Sequence, residues 1–324
     1  MPTPRQRRET ETMWAEPDEP AVIPQLDCPL CHHEDRRFIF GTWADPIGVA
    51  KCTACGLVHT TGRYETHLQP PDTSAPSAGR RDRQRKAFAQ YDRMLGGTLR
   101  AAAASGRALD IGCNDGTWLD QLHRWGFTTE GTATESTAAA ARHRVYDIDC
   151  TDPSACLGRR YELVTLQDAL DRLDRPAAAL NFAARHLAPG GVLIVEVANW
   201  NDLTRVLWGR RAGRVQLGNQ VAFYDRRSLR DAIRGVGLEP LSTWSAPQVS
   251  SLVADNMLSV VEMGRALLQR GPKARIDAPR GGWIRRGLMR SLDRADPAIE
   301  RAFDEADWGA KLIIAAHKPR ASLH

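Results

Sequence analysis

Short apolar runs alternate with helix-like stretches along residues 107–317, and this alternation sets the expected fold. Strands are predicted at 108–111, 128–134, 161–166, 192–197 and, late in the chain, at 311–316. Helices are predicted at 87–95, 118–122, 137–142, 177–187 and 228–236. Because strands and helices in strict turn form a parallel sheet covered on both faces, we expect an α/β fold.

The flanking regions differ from this alternating part in composition. Residues 1–25 are charged and proline-bearing, which predicts a disordered tail. Residues 26–68 hold paired cysteines among short strand-like runs, and residues 69–86 (QPPDTSAPSAGRRDRQRK) have the composition of a linker. The main domain is then predicted over 87–320, with a mostly helical insertion at about 250–308.

Length and charge narrow the function classes. The 324 residues are 42% hydrophobic and 26% charged, enough for one domain of about 200 residues and a smaller module. A net charge of +5 is weak support for nucleic-acid binding, and a mixed-charge surface is the favoured interpretation. The sequence has neither an apolar run near the ~20 residues of a membrane span nor an apolar signal-peptide segment, so we expect a cytoplasmic protein.

The seven cysteines include two C-x-x-C pairs, Cys28–Cys31 and Cys52–Cys55, with 20 residues between them. An odd total without a secretory signal argues against a disulfide framework. Two such pairs can complete a tetrahedral thiolate shell, so we predict a structural Zn²⁺ in a zinc-ribbon module. Gly56 suits the left-handed turn that follows such a pair. Three nearby histidines are expected at the surface: His32, His33 and His59.

The segment Leu109–Gly116 (LDIGCNDG) is the main candidate for ligand binding. A buried strand ends in a turn whose glycines, Gly112 and Gly116, allow close approach of a ligand to the backbone. The turn lacks the G-x-G-x-x-G rhythm, and Asp110 would repel a pyrophosphate but suit an amine. Glu135, at the end of the next predicted strand, is placed to bind ribose hydroxyls. S-adenosylmethionine carries both an amino group, which suits Asp110, and a ribose, which suits Glu135.

Three motifs together resemble class I S-adenosylmethionine-dependent methyltransferases. They are LDIGCNDGTWL, GTATES at 131–136 and LAPGGVLIVEVAN at 187–199. The resemblance implies a Rossmann-like fold, a parallel sheet with a late antiparallel strand and helices on both faces. By this resemblance the cofactor-binding residues are Asp110, Gly112, Cys113, Asn114 and Gly116 at the methionine end, Glu135 at the ribose and Gln167 near the transfer site.

The four-cysteine module ahead of this fold resembles a subgroup of small-molecule methyltransferases that includes carbon-methylating enzymes of nucleotide-linked deoxysugars. That subgroup shows a V-L-E-H segment after the fourth strand and a second histidine before an aromatic pair. Here the corresponding segments are 169–172 (ALDR) and 219–224 (NQVAFY), so Arg172 and Gln220 replace the two histidines. The family's general base therefore has no counterpart at these positions.

Other residues are candidates for the chemistry. Asp168 and Tyr224 are possible bases, each weighed against a purely structural role, and Arg172 could hold a carboxylate or phosphate of the acceptor. The insertion at 250–308 could be a lid over the acceptor or a packing or dimerisation pair of helices. His186 is expected on a helix surface.

Three functions remain open. The leading one is methylation of carbon or oxygen in a small-molecule acceptor of bacterial specialised metabolism, by a monomer or homodimer without nucleic-acid or membrane partners. The second is RNA methylation, with the zinc module and the basic residues 80–86 gripping phosphates. The base-methylating N-P-P-[YF] segment is missing. The third is a catalytically silent cofactor-binding scaffold.

Overall fold

The computed structural model describes residues 22–25, 27–40, 47–64, 85, 87–93, 95, 97, 99, 106–133, 143–152, 154–208, 220–246 and 297–319. The strands are β1 (Val22–Pro24), β2 (Arg36–Phe40), β3 (Val49–Cys52), β4 (Val58–Thr60), β5 (Gly62–Tyr64), β6 (Arg107–Ile111), β7 (Thr128–Ala133), β8 (Arg144–Asp147), β9 (Tyr161–Gln167), β10 (Leu187–Ala198), β11 (Ala222–Phe223), β12 (Glu239–Ala246) and β13 (Lys311–His317). The helices are α1 (Thr117–Arg124), α2 (Pro176–His186), α3 (Leu203–Trp208), α4 (Arg226–Gly235) and α5 (Pro297–Glu305), with a 3-10 turn at Leu170–Arg172 and helical residues at 87–93.

Seven strands form the main sheet, in the order β12-β13-β10-β9-β6-β7-β8. Neighbours from β10 to β8 pair in parallel, and β13 runs antiparallel to both of its neighbours. The predicted α/β fold with a late antiparallel strand is therefore confirmed. The helix predicted at 137–142 and most of the insertion lie outside the described residues. No helix within the described ranges is long and apolar enough to cross a membrane.

The two faces of the main sheet carry separate apolar cores. Alternate strand residues point to opposite faces. One core contains Leu109, Val164, Val195 and Ile314 together with residues of α2 and α4. The other contains Ala108, Leu163, Ile194 and Ile313, covered by Phe88, Tyr91, Trp118 and Trp244.

A row of polar residues follows from the same alternation. Asp110, Thr165, Glu196 and Lys311 each lie two residues from a member of the second core, on β6, β9, β10 and β13. They therefore share one face of the sheet, at the edge where the parallel strands end. We call these four residues the polar row. Because α/β proteins bind ligands at this edge, the polar row lies where a ligand-binding site is expected.

The cysteine-bearing segment forms its own small sheet, in the order β11-β4-β3-β2. Its fourth strand comes from the main domain, with Ala222 opposite His59 and Phe223 opposite Val58. β1 pairs with β5, so the expected disordered tail over 1–25 is wrong for Val22–Pro24, which form a strand. The other expected boundaries, 26–68, 69–86 and 87–320, stay predictions.

Candidate active site and metal centre

The two C-x-x-C pairs meet in space. Cys28 Sγ lies 3.6 Å from Cys55 Sγ, and Cys31 Sγ lies 3.6 Å from Cys52 Sγ. All four sulfurs lie within 4.8 Å of one another. A tetrahedron with Zn–S bonds of about 2.3 Å separates its sulfurs by about 3.8 Å. The four thiols thus have the spacing that a zinc ion requires.

Both cysteine turns share one backbone geometry. The amide of His32 donates to Cys28 O at 2.9 Å, and the amide of Gly56 donates to Cys52 O at 3.1 Å. Both donors are left-handed, with φ of 60° at His32 and 77° at Gly56. The turn expected at Gly56 is confirmed. The matching turn at His32 carries no glycine, so the sequence offered no signal for it.

The surface position expected for His59 is wrong. His59 is buried on β4, opposite Ala222 of β11, and its ring Nδ1 lies 2.8 Å from Thr60 O. Burial lowers the pKa of His59, which favours a neutral ring. His32 and His33 are exposed as expected, and the metal-binding group contains the four cysteines alone among the described residues.

Beyond β6 the chain makes the predicted glycine turn. Gly112 and Gly116 have φ of 75° and 74°, and Asn114 between them has φ of 45°. Left-handed φ costs a residue with a side chain more than it costs glycine. A Cβ on Gly112 would lie 3.2 Å from Ala169 Cβ, so the turn packs against the segment that follows β9. The glycines of LDIGCNDG thus serve both conformation and close approach.

Asp110 occupies the start of the polar row and is buried. Thr165 Oγ1 donates to Asp110 Oδ1 at 2.6 Å, and Trp118 Nε1 donates to Thr165 Oγ1 at 3.1 Å. Burial raises the pKa of Asp110 to about 7. At the start of α1, Thr117 N donates to a different acid, Asp115 Oδ1, at 3.0 Å. The described hydrogen bond of Asp110 thus goes to Thr165 on β9 and not to the start of α1.

Gly131 on β7 makes room for the turn beside it. A Cβ at Gly131 would lie 2.6 Å from Cys113 Sγ and 3.0 Å from Leu119 Cδ1. We expect Gly131→Ala to lower the free energy of unfolding by about 1–3 kcal/mol, because the core has no space for the methyl group. Urea denaturation measures this. The control is Gly235→Ala, whose Cβ meets nothing within 4 Å. Equal stability of the two variants would contradict the packing explanation.

A second group of polar side chains surrounds the candidate base Asp168, and its other members were missed from sequence. Lys311 Nζ donates to Asp168 Oδ1 and lies 3.6 Å from Glu196 Oε1, while the Tyr91 hydroxyl donates to Glu196 Oε2. The Asp168 side chain is 46% exposed and Lys311 17%. We call Asp168, Glu196, Lys311 and Tyr91 the ion cluster. The sequence signal that could have revealed this group is Glu196, a charged residue inside the apolar run VLIVEVA at 192–198.

The candidate base Tyr224 needs correction. Its side chain is fully buried in the core that also contains Cys28 and Leu57. Its hydroxyl has no hydrogen-bond partner among the described residues, and burial raises its pKa well above the ordinary value. A group buried in this way cannot accept a proton from an acceptor at the sheet edge. His186 is likewise buried, contrary to expectation, and its Nε2 accepts from Leu157 N at 2.9 Å.

Arg172 and Gln220, which stand where the subgroup has histidines, both adjoin Asp171. Gln220 Nε2 donates to Asp171 Oδ2 at 3.0 Å, beside Arg172, whose side chain is exposed. Gln167 ends β9 next to Glu196. Of the other predicted cofactor residues, Cys113 is buried against Gly131, and Glu135 lies outside the described residues.

A Rossmann-like sheet with a glycine turn and a buried acid at its carboxyl edge is typical of cofactor-binding α/β proteins. The sequence profile of the methyltransferase domain family matches residues 80–243, about half of the 324-residue chain. The chain belongs to this family and is an S-adenosylmethionine-dependent methyltransferase. A search of curated proteins found no match.

Solved structures show similar folds at low identity. One is an S-adenosylmethionine-dependent methyltransferase from Archaeoglobus fulgidus (13% identity, 72% of this chain and 94% of that chain covered, TM-score 0.45). Another is an O-methyltransferase family protein from Burkholderia thailandensis (13% identity, 75% of this chain and 60% of that chain covered, TM-score 0.41). A third is an amino pentose methyltransferase of calicheamicin biosynthesis from Micromonospora echinaspora (20% identity, 55% of this chain and 94% of that chain covered, TM-score 0.40). The family assignment rests on the sequence match to the profile.

Proposed function

We propose that this methyltransferase transfers a methyl group to carbon or oxygen of a small-molecule acceptor in bacterial specialised metabolism. The supporting observation is that the half-exposed Asp168 carboxylate lies close to the glycine turn, because the next residue, Ala169, would touch a Cβ placed on Gly112. An acceptor that reaches this edge meets a carboxylate that is accessible to solvent.

Bound S-adenosylmethionine supplies an electrophilic methyl group on a sulfonium. Asp110 is proposed to hold its amino group, since a buried carboxylate whose donor among the described residues is the Thr165 hydroxyl favours a cationic partner. Glu135 is proposed for the ribose. Asp168 is proposed to accept the proton of the acceptor and pass it to solvent, while Arg172 meets a negative group of the acceptor.

For the cysteine centre we propose a structural Zn²⁺ held by Cys28, Cys31, Cys52 and Cys55. Four thiolates complete the coordination shell and leave no open position for a water or substrate. Two of the four sulfur-bearing residues, Cys28 and Cys52, belong to the main core cluster of the protein. The ion is thus expected to support the fold, with no part in the methyl transfer.

The function is tested in two stages. Calorimetry with S-adenosylmethionine and S-adenosylhomocysteine should show binding of both by the metal-replete protein. Methyl-labelled S-adenosylmethionine is then offered with a small-molecule extract and, separately, with total RNA from the source bacterium. Label in a small product that is lost in Asp168→Asn supports the proposal. Label in RNA would establish the second function, and binding without any product would establish the silent scaffold.

A further inference from the structure

The ion cluster is a built feature of the sheet edge. Asp168 has a left-handed backbone, with φ of 52°, and its amide donates to Glu196 O at 3.0 Å. Such a conformation is costly for a residue with a side chain and persists where surrounding contacts fix it. Here the fixed contacts are that amide and the ion pair with Lys311.

Lys311 is itself held in place by the segment before β13. Asn199 Nδ2 donates to Asp307 O at 2.9 Å and to Gly309 O at 2.8 Å. Gly309 N donates to Ser245 Oγ at 2.6 Å. These bonds fix the backbone at the start of β13, from which the Lys311 side chain reaches Asp168 and Glu196.

The cluster adjoins the turn that is proposed to bind the cofactor. Ala169, which follows Asp168, would touch a Cβ on Gly112. Asp110 and Glu196 belong to the same polar row on either side of β9, where Thr165 lies opposite Asp110 and Gln167 lies opposite Glu196. Burial raises the pKa of Glu196 to about 7 and lowers that of Lys311 to about 8, so both charges lie in a poorly solvated region.

We propose that Lys311 is a specificity-determining residue that offsets the carboxylates of Asp168 and Glu196 and thereby sets how strongly the site prefers a cationic sulfonium over a neutral thioether. The inference rests on the proposed function. Methyl transfer removes the positive charge from sulfur. Carboxylates without a compensating cation would therefore stabilise the substrate more than the transition state, which slows the reaction.

The test uses three ligands that share their adenosine and amino-acid ends. S-adenosylmethionine carries a sulfonium and sinefungin carries an ammonium at the corresponding position, whereas S-adenosylhomocysteine is neutral there. The ratio of two dissociation constants therefore cancels every contact except those at the reacting centre. Calorimetry gives the ratio for wild type and for each variant.

Removing the cation should favour the cationic ligands. For Lys311→Met we expect the preference for S-adenosylmethionine and sinefungin over S-adenosylhomocysteine to rise about tenfold. Asp168→Asn should lower it by a similar factor, and Lys311→Arg should restore the wild-type ratio. Asp168 is half-exposed, so its variant is testable even if Lys311→Met fails to fold.

The control is Lys318→Met, which removes a lysine just beyond the other end of β13. Lys318 Nζ donates to Ala184 O at 2.8 Å and Leu187 O at 3.2 Å, remote from the cluster. Its ratio should equal that of wild type. Unchanged ratios in both Lys311→Met and Asp168→Asn would overturn the inference while leaving the proposed function intact. Failure of wild type to bind any of the three ligands would overturn both.

Discussion

Asp110→Asn is expected to weaken S-adenosylmethionine binding by about 100-fold and yet to make the free protein more stable at pH 8. The loss of affinity follows because the neutral amide cannot pair with the amino group of the ligand. The gain in stability follows from the buried position of Asp110, whose pKa is raised from its ordinary value to about 7. Ionising this carboxyl in the folded protein is unfavourable.

The sign of the pH effect is fixed by proton binding. Between about pH 4 and pH 7 the folded protein holds a proton on Asp110 that the unfolded chain has released, so stability falls as pH rises. The full cost, about 2–4 kcal/mol, is present above the folded pKa. Asp110→Asn should therefore match wild type at pH 4 and exceed it at pH 8.

Urea denaturation at the two pH values measures the stability, and calorimetry measures the affinity. The control is Asp147→Asn, an exposed acid at the end of β8. It should change neither quantity. If Asp110→Asn bound the cofactor as tightly as wild type, Asp110 would be only a structural partner of Thr165.

Cys52→Ser is expected to abolish metal binding and to destabilise the methyltransferase domain along with the cysteine module. Structural zinc contributes about 10 kcal/mol or more to the folding of small modules. The loss extends further here because β4 pairs with β11 and Thr60 N donates to Val221 O at 3.0 Å. Val221 N in turn donates to Asp171 O at 2.8 Å, next to Arg172.

Metal analysis should give one zinc per wild-type chain and none in the variant. Hydrogen exchange should accelerate in β11 and the 170–172 turn, but not in β6 and α1. Cys156→Ser is the matched control, because Cys156 is exposed and far in sequence from the four ligands. A Cys52→Ser protein that melts like the control would show that the module is an independent appendage.

Residue types and their spacing predicted the fold because apolar periodicity decides which faces are buried. The two strands of the main sheet that were not predicted, β8 and β12, read RVYD and EPLSTWSA, with few apolar residues in alternation. Their place at the two edges of the sheet explains this, since an edge strand is less completely buried.

The site was harder to predict than the fold. Asp110 and Gly112 are two residues apart in the chain and could be found as one motif. Lys311 and Glu196 are 115 residues apart and meet only through the pairing of β10 with β13. Likewise the sequence placed Tyr224 near a transfer site without showing that its hydroxyl is buried. Burial and register depend on the whole fold, and local patterns do not contain them.

The pairing of β4 with β11 also constrains how the chain is made. The four cysteines emerge from the ribosome early and can capture their ion at once, but the strand opposite Val58 and His59 is residues 222–223, which emerge some 160 residues later. Until then β4 presents an open edge, the kind of surface that pairs with other chains. Residues 26–68 produced alone would keep that edge, and we expect them to self-associate.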